Sequence, residues 1–528
     1  FRTRGGLPVF LRGFLQRIFP TRRGGLRILS VNHSEVARVV KFLRQVLALQ
    51  SKRFEVCSPA RVQRAKQDFR ATDLELRSGA SPDLRRLFYQ LFGPALHRVE
   101  RDLFNGDLVP RHGPGAVSEK VSGNQKWLLP YWTEALQDVY PWWDAIRTPM
   151  EMVHSGESTD PPPLLATKPV SRLVAVPKTA KAPRLIAIEP TAHQFVQQGI
   201  LGLLDRHMPS SSCWGAMDWH DQLRNQKLAL EGSSDGSLAT LDLSEASDRV
   251  SWQLVQDLLS QHRYLLRWVS ASRTEEIDID GARFPLRKFA SMGSALTFPI
   301  ETMVFLTVAL LGVYGSVESA VRASREGLRR VSVYGDDIVV PVDSVPDVVS
   351  LLEAHGFKVN SHKSFSTGKF RESCGADYYA GWAVNPVRAR HDVGGDARSS
   401  QWLEKTVNLR NRLFEAGFLD TVRRIDGMLG HVPCIPVGAP FIGRWSYDDD
   451  EISWRWNKDL YRAEFRCLDI HRRLPVSRLD SYPALLKCLT LMEVSRDPAD
   501  AEHLDRSGRP SAGRTKHSWR AYREVSLR

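Results

Sequence analysis

Asp336 and Asp337 stand side by side after Gly335, with Val331-Ser332-Val333-Tyr334 before them and Ile338-Val339-Val340 after. Each apolar flank reads as a short strand, and the Gly-Asp step reads as the tip of a hairpin. Two neighbouring carboxylates at the ends of buried strands need positive charge to compensate them. A pair of Mg²⁺ ions supplies that charge, and nucleotidyl transfer uses two ions about 4 Å apart. By itself the tetrapeptide reads as a surface turn. The residues upstream of it decide for the chemistry.

Leu238-Ala239-Thr240-Leu241-Asp242-Leu243-Ser244-Glu245-Ala246-Ser247-Asp248 begins as an apolar strand and ends in small and acidic residues. A lone strand-end Asp is usually a helix cap, and Ser244 or Ser247 can supply the same cap. Beside Asp336 and Asp337, however, Asp242 is the third carboxylate that an oxygen-ligated two-metal centre requires. Asp248 lies too far along to share the metals. It is placed to accept a hydrogen bond from a ribose hydroxyl, the group that separates RNA precursors from DNA precursors.

Between the two clusters, the small residues of Ser291-Met292-Gly293-Ser294-Ala295 allow a close backbone approach to a ligand. The apolar run from Thr302 to Tyr314 is too short to span a bilayer and reads as a buried helix. Upstream, Lys168, Arg172, Lys178, Lys181 and Arg184 alternate with apolar and Pro residues. Such a ribbon holds point charges along one side of a channel. Lys178, Lys181 and Arg184 suit a triphosphate.

Basic ribbon, Asp-x5-Asp, Ser-x-Gly-x3-Thr and Tyr-Gly-Asp-Asp follow one another in the order found in viral RNA-dependent RNA polymerases. The chain resembles more closely the replicase subunit of single-stranded RNA bacteriophages, the levivirus group. The words that carry the likeness are Val176-Pro177-Lys178 with Ile186-Ala187-Ile188-Glu189-Pro190, Asp242-Leu243-Ser244, Ala246-Ser247-Asp248, Ser291-Met292-Gly293, Thr297-Phe298, Tyr334-Gly335-Asp336-Asp337-Ile338, and Phe370-Arg371-Glu372-Ser373-Cys374-Gly375 with Tyr378-Tyr379. They cover residues 168 to 391. Before them only Arg111-His112-Gly113-Pro114-Gly115-Ala116-Val117 looks family-like, with no chemistry beyond a turn.

The resemblance implies an α+β right-hand polymerase: an N-terminal region and fingers over 1–235, including the ribbon 168–190; a palm over 236–391 with a fingers-side insertion; and a thumb and tail over 392–528. It implies two Mg²⁺ ions, replaceable by Mn²⁺, on Asp242, Asp336 and Asp337, and a catalytic Lys363 near the leaving pyrophosphate. It implies nucleotide contacts at Lys178, Lys181, Arg184, Asp248, Ser291, Gly293 and Thr297. Where the general pattern has an Asn four residues after the Thr, this chain has Glu301, so ribose selection falls to Asp248 with Ser291 or Thr297. The implied partners are a single-stranded RNA template, nascent RNA, ribonucleoside triphosphates, host elongation factors Tu and Ts, and a host RNA-binding ribosomal protein. The implied setting is the bacterial cytoplasm, with no membrane. The rival readings are a reverse transcriptase, a mitovirus-like polymerase, and a noncatalytic basic RNA-binding protein.

Composition agrees. Lys and Arg number 73 against 60 Asp and Glu, a net charge of +13, which favours a polyanionic partner. The six Cys show no Cys-x-x-Cys pair, so neither a zinc site nor a disulfide framework is expected. The 15 His show no metal-ligand spacing. Residues 1–34 contain seven Arg and no acid, a composition shared by transit peptides and by basic RNA-binding arms; the phage-like words favour the arm. Residues 35–110 and 400–495 carry helical periodicity. Asp448-Asp449-Asp450-Glu451 reads as a solvated acidic loop, and the tail from about Asp497 as polar, with Ser507-Gly508-Arg509-Pro510-Ser511-Ala512-Gly513 mobile.

Overall fold

A computed structural model describes residues 32–53, 56–76, 79–146, 163–179, 182–396, 399–473, 475–476, 478–479, 481–494 and 511–521, with four two-residue strands before residue 27. Lys181 and the side chains of the N-terminal arm lie outside the described residues.

The centre of the molecule is a four-stranded antiparallel sheet. Its order is Ser332–Tyr334, Asp337–Pro341, Leu238–Ser244, Lys358–Val359. The first two strands form the expected hairpin. Gly335 sits at φ +58° in its two-residue turn, a conformation that favours Gly. A Cβ at Gly335 would stand 2.4 Å from the Phe298 ring, so the turn lies flat on the helix behind it. The Gly335 N–H donates to Thr302 Oγ1 at 3.1 Å and pins the turn there.

That helix runs Thr297–Tyr314, longer than the apolar stretch from Thr302 predicts. With 18 residues it is the one helix among the described residues long and apolar enough to cross a membrane. It is buried on nearly every face, as the core helix of a folded domain must be when it is apolar all round. It shares one core with the helices Pro82–Phe104 and Thr191–His207 and with the central sheet.

A second four-stranded sheet, ordered Ala282–Pro285, Glu276–Ile279, Ser171–Val176, Arg184–Ile188, carries the basic ribbon as a hairpin. The helices His33–Ala48 and Pro59–Glu75 precede it in the chain. Arg44 reaches from the first of them to Asp377 at 2.5 Å, fastening it to the Ala376–Tyr379 strand.

The C-terminal region departs from the helical expectation. Ser400–Glu415, Leu419–Met428 and Ser481–Val494 are helices. Between them Cys434–Pro436, Arg444–Ser446, Trp454–Asn457 and Arg462–Arg473 are strands. Ser511–Ala521, whose first three residues fall in the stretch expected to be mobile, is a strand paired with Arg462–Arg473. The helical reading failed because Arg462–Arg473 buries Phe465 and Cys467 on one face and Leu468 on the other. Its hydrophobic period is blurred, and its partner lies far away in sequence.

Candidate active site

Sheet register assembles the carboxylates. Asp242 is the direct cross-strand partner of Asp337, and Asp336 occupies the adjoining turn. Asp242 is held at both oxygens: Lys363 Nζ donates to Oδ1 at 2.9 Å and Asn360 Nδ2 to Oδ2 at 2.9 Å. The Asn360 N–H also donates to the Asp242 carbonyl at 2.8 Å, which closes the loop after Lys358–Val359 against the site. The Cys374 N–H donates to Asp337 Oδ2 at 3.1 Å, tying the Phe370-Arg371-Glu372-Ser373-Cys374-Gly375 hairpin to the same cluster.

The electrostatics are those of crowded anions. Burial, and then Asp242 beside it, push the Asp336 carboxyl above its ordinary range. Burial and Asp336 push Asp337 up to about 7, although the Cys374 N–H opposes them. Burial resists the charge on Lys363, but its bond to Asp242 overrides this and holds the ammonium pKa up. Lys178 is pulled down by burial and by Arg184 and Lys363, with Asp336 and Asp242 pulling the other way. Asp242 raises the proton affinity of both Asp336 and Asp337, and oxygen donors crowded in this way fit a hard dication, which relieves their repulsion.

A cleft of about 600 Å³ opens over this cluster, and its lining includes Asp242, Asp336, Lys178, Arg184, Lys363 and Asn360. Asp337 lies behind the wall, toward Cys374. Within the ribbon, Lys178 and Arg184 face the cleft, whereas Lys168 turns away to Glu275 at 2.7 Å. The ribbon is therefore not one row of charges on one side: Lys168 precedes the hairpin strand Ser171–Val176 and Lys178 follows it.

Asp248 also lines the cleft, in the turn Ser247–Arg249. It is not a cap. The helix Trp252–Leu258 is capped by Ser251, which accepts from the Leu254 N–H at 3.0 Å, so Ser244 and Ser247 are not caps for it either. Lys288 Nζ donates to Asp248 Oδ1 at 3.2 Å from a fully buried position.

The small-residue segment packs against protein. Gly293 has φ +136°, and a Cβ there would lie 1.8 Å from the Ala187 carbonyl oxygen. The approach that Gly293 permits is to the Arg184–Ile188 strand. Thr297 Oγ1 donates to the Ser291 carbonyl at 2.9 Å, and Ser291 is buried on a separate small cavity. Met292 is the member of this segment on the cleft lining. Glu301 is there too, buried, with Oε2 lacking a hydrogen-bond partner. Burial, Asp336 and Asp248 raise its pKa well above the usual carboxylate range.

The helix Pro59–Glu75 falls within the stretch of helical periodicity, but its part in the site was not legible: its Ala65, Asp68, Phe69 and Thr72 form one wall of the cleft. No local pattern marks these residues as functional. Lys288 and Asn360 were equally silent. Two further groupings emerge. Lys126, buried, donates to the carbonyls of Gly113 and Gly115 and so fixes the Arg111–Val117 turn, in which the buried His112 stacks on Phe195. His97, Glu100 and His262 converge despite their spacing, with ligand-type atoms within 4.8 Å. Hydrogen bonding accounts for this group: Glu100 Oε1 accepts from the N–H groups of Tyr264 and Leu265, and Oε2 meets both imidazoles.

Residues 145–397 match a family model described as "RNA replicase, beta-chain". The RNA-directed RNA polymerase subunit beta of Escherichia virus Qbeta is 38% identical over 225 residues, covering 43% of this chain and 36% of that protein. The corresponding beta chain of Enterobacteria phage GA is 38% identical over 226 residues, covering 42% of this chain and 39% of that one. That of Escherichia phage MS2 is 36% identical over 218 residues, covering 41% and 37%. The matches thus span well under half of these relatives' length. The family-model match covers the segment that carries the carboxylates and the ribbon. A solved RNA-dependent RNA polymerase of a human picobirnavirus aligns with 75% of this chain and 80% of its own, at 12% identity and a TM-score of 0.42, too loose a likeness to add weight.

Proposed function

We propose that this cleft performs template-directed addition of ribonucleotides to RNA, as the RNA-dependent RNA polymerase of a single-stranded RNA phage. One observation carries the reading: Asp242, Asp336 and Asp337 crowd together beside Lys363 in a cleft that Lys178 and Arg184 also line, inside the segment that matches the replicase beta-chain family model. In this reading residues 236–391 are the palm, 1–235 the N-terminal region and fingers, and 392–528 the thumb and tail.

Asp242 and Asp336 would hold two Mg²⁺ ions, or Mn²⁺ in their place, with Asp337 as a supporting ligand. When bound, such a pair lowers the pKa of the attacking 3′-hydroxyl and offsets charge on the triphosphate and departing pyrophosphate. Lys178 and Arg184 neutralise the incoming triphosphate from the opposite wall. Lys363, protonated at neutral pH, stands where it can hold a proton for the pyrophosphate. Asp248 accepts from the sugar hydroxyl. The partners are single-stranded RNA and ribonucleoside triphosphates, joined in the bacterial cytoplasm by host elongation factors Tu and Ts and a ribosomal protein.

The test is polymerisation by the purified chain on single-stranded RNA, with and without bacterial host extract. Incorporation that needs template, divalent cation and ribonucleotides, and that is abolished in Asp336→Asn, supports the reading. No incorporation under either condition, or full activity in the mutant, rejects it.

A further inference from the structure

We propose that Lys288 is a positioning residue for sugar selection: its buried ammonium fixes the Asp248 carboxylate as the acceptor for the 2′-hydroxyl of the incoming nucleotide. This rests on the reading of the cleft as a ribonucleotide site.

A Lys is almost never fully buried without partners. The Lys288 side chain has no exposed surface, and its partners are arranged around the nitrogen. Asp248 Oδ1 lies at 3.2 Å, Asp73 Oδ1 at 4.0 Å, and the centre of the Phe69 ring at 3.5 Å. Two carboxylates and an aromatic face replace the water the ammonium has lost.

The root of the side chain is fixed as firmly. The Lys288 N–H donates to Asp73 Oδ1 at 3.0 Å, and the neighbouring Arg287 N–H donates to both Asp73 oxygens. The Lys288 carbonyl accepts from Arg273 Nη2 at 2.8 Å. With both ends held, the ammonium has one place to be, and Asp248 Oδ1 must come to it.

Asp248 is the link to the cleft. Its side chain keeps 23% of its surface exposed, whereas Lys288 keeps none. Lys288 therefore cannot touch a nucleotide and acts through Asp248. With Oδ1 committed, Oδ2 is the oxygen left to meet a hydroxyl. The ammonium also supplies counter-charge on a wall that already carries Glu301 and Asp336. The ammonium, a donor with no acceptor lone pair, aims Asp248 as the acceptor that a site reading a hydroxyl requires.

The experiment compares a ribonucleoside triphosphate with its 2′-deoxy counterpart on saturating RNA template. Lys288→Met should lower the ribo-over-deoxy ratio of kcat/KM by about tenfold or more, mainly by raising KM for the ribonucleotide. Lys288→Arg should recover part of the preference. In an Asp248→Ala background, Lys288→Met should change the ratio no further, since the two act as a unit. An equal loss for both nucleotides, or a further loss of preference in the Asp248→Ala background, overturns the proposal. If Lys288→Met does not fold, Lys288→Gln carries the test: it should shift the ratio the same way by a smaller factor, and an unchanged ratio counts against the proposal. A wild-type chain that makes no RNA would reject the underlying reading, whereas an active wild type with an unaltered mutant ratio would reject only the role of Lys288.

Discussion

Raising the pH without divalent cations should destabilise this fold, and Mg²⁺ should reverse the loss. The argument starts from Asp337, whose carboxyl is raised from 3.8 to about 7 by burial and by Asp336 beside it. Its pKa is higher in the folded chain than in the unfolded one. The folded state therefore holds the extra proton, and the resulting stability is fully present below pH 3.8 and lost as pH rises through about 7. A shift of about 3 units corresponds to roughly 4 kcal/mol at most, because each unit is worth about 1.4 kcal/mol and Asp336 shares the titration. Asp336 and Glu301 are raised too and act in the same direction. A bound dication works the other way, since it requires the ionised forms. At about a hundredfold excess over its Kd it would return about 2.7 kcal/mol.

The assay is denaturant unfolding of the purified full chain between pH 5 and 8, in EDTA and in MgCl₂, for wild type and Asp337→Asn. In EDTA the mutant should gain on wild type as pH rises from 5 to 8, by up to about 2.7 kcal/mol, since about two units of the shift lie in that window. Stabilisation of wild type by Mg²⁺ should be larger at pH 8 than at pH 6. A difference between mutant and wild type that does not change with pH would refute the crowding argument. Equal Mg²⁺ stabilisation of both proteins would refute the placement of the cation.

Three further outcomes follow from the site. Asp242→Asn and Asp336→Asn should each cut nucleotide addition by about 10³-fold or more while RNA binding, measured by filter retention, is largely kept. Asp248→Ala should lower discrimination against deoxyribonucleotides in incorporation ratios, because the acceptor for the 2′-hydroxyl is gone. Neutralising Lys178, Lys181 and Arg184 should raise KM for nucleotides or lower kcat, whereas neutralising Arg2, Arg4, Arg22 and Arg23 should weaken RNA binding and flatten its salt dependence by about one unit of slope per lost contact. Nucleotide titrations and salt-dependent binding on both variants separate the two.

The carboxylate end of the cleft was legible in the sequence because one sheet register builds it. Val333, Ile338, Val339 and Val340 announce a buried hairpin, and the apolar strand through Leu241 announces its neighbour. Pairing them brings Asp242 opposite Asp337 without help from any distant element. The ribbon was legible as charge but not as direction. Only the contacts of the folded chain show that Lys168 and Lys178 serve different surfaces. The strands after residue 430 were hidden for another reason: Arg462–Arg473 buries residues on both faces, which blurs its alternation.

The end of the cleft at Asp248 is built differently, and that is why it was half-read. Asp248 is visible as an acid near a strand end, but what aims it is not. Phe69 and Asp73 come from the helix Pro59–Glu75, Lys288 from the segment before the Ser291 motif, and Arg273 from the end of Arg263–Ser272. Four separate stretches of chain meet around one ammonium. Taken singly, none looks functional: an Asp in a weakly amphipathic helix, a Phe, and a Lys in a basic dipeptide. The burial of Lys288 changes their meaning, since a charge held entirely out of water is kept only where its position matters or where its partners would otherwise be left bare. Asp73 would not be left bare, because it already accepts three backbone bonds. Asp248 would lose the only side-chain donor that fixes Oδ1 among the described residues. The carboxylate facing the cleft is therefore the member of this group that depends on Lys288.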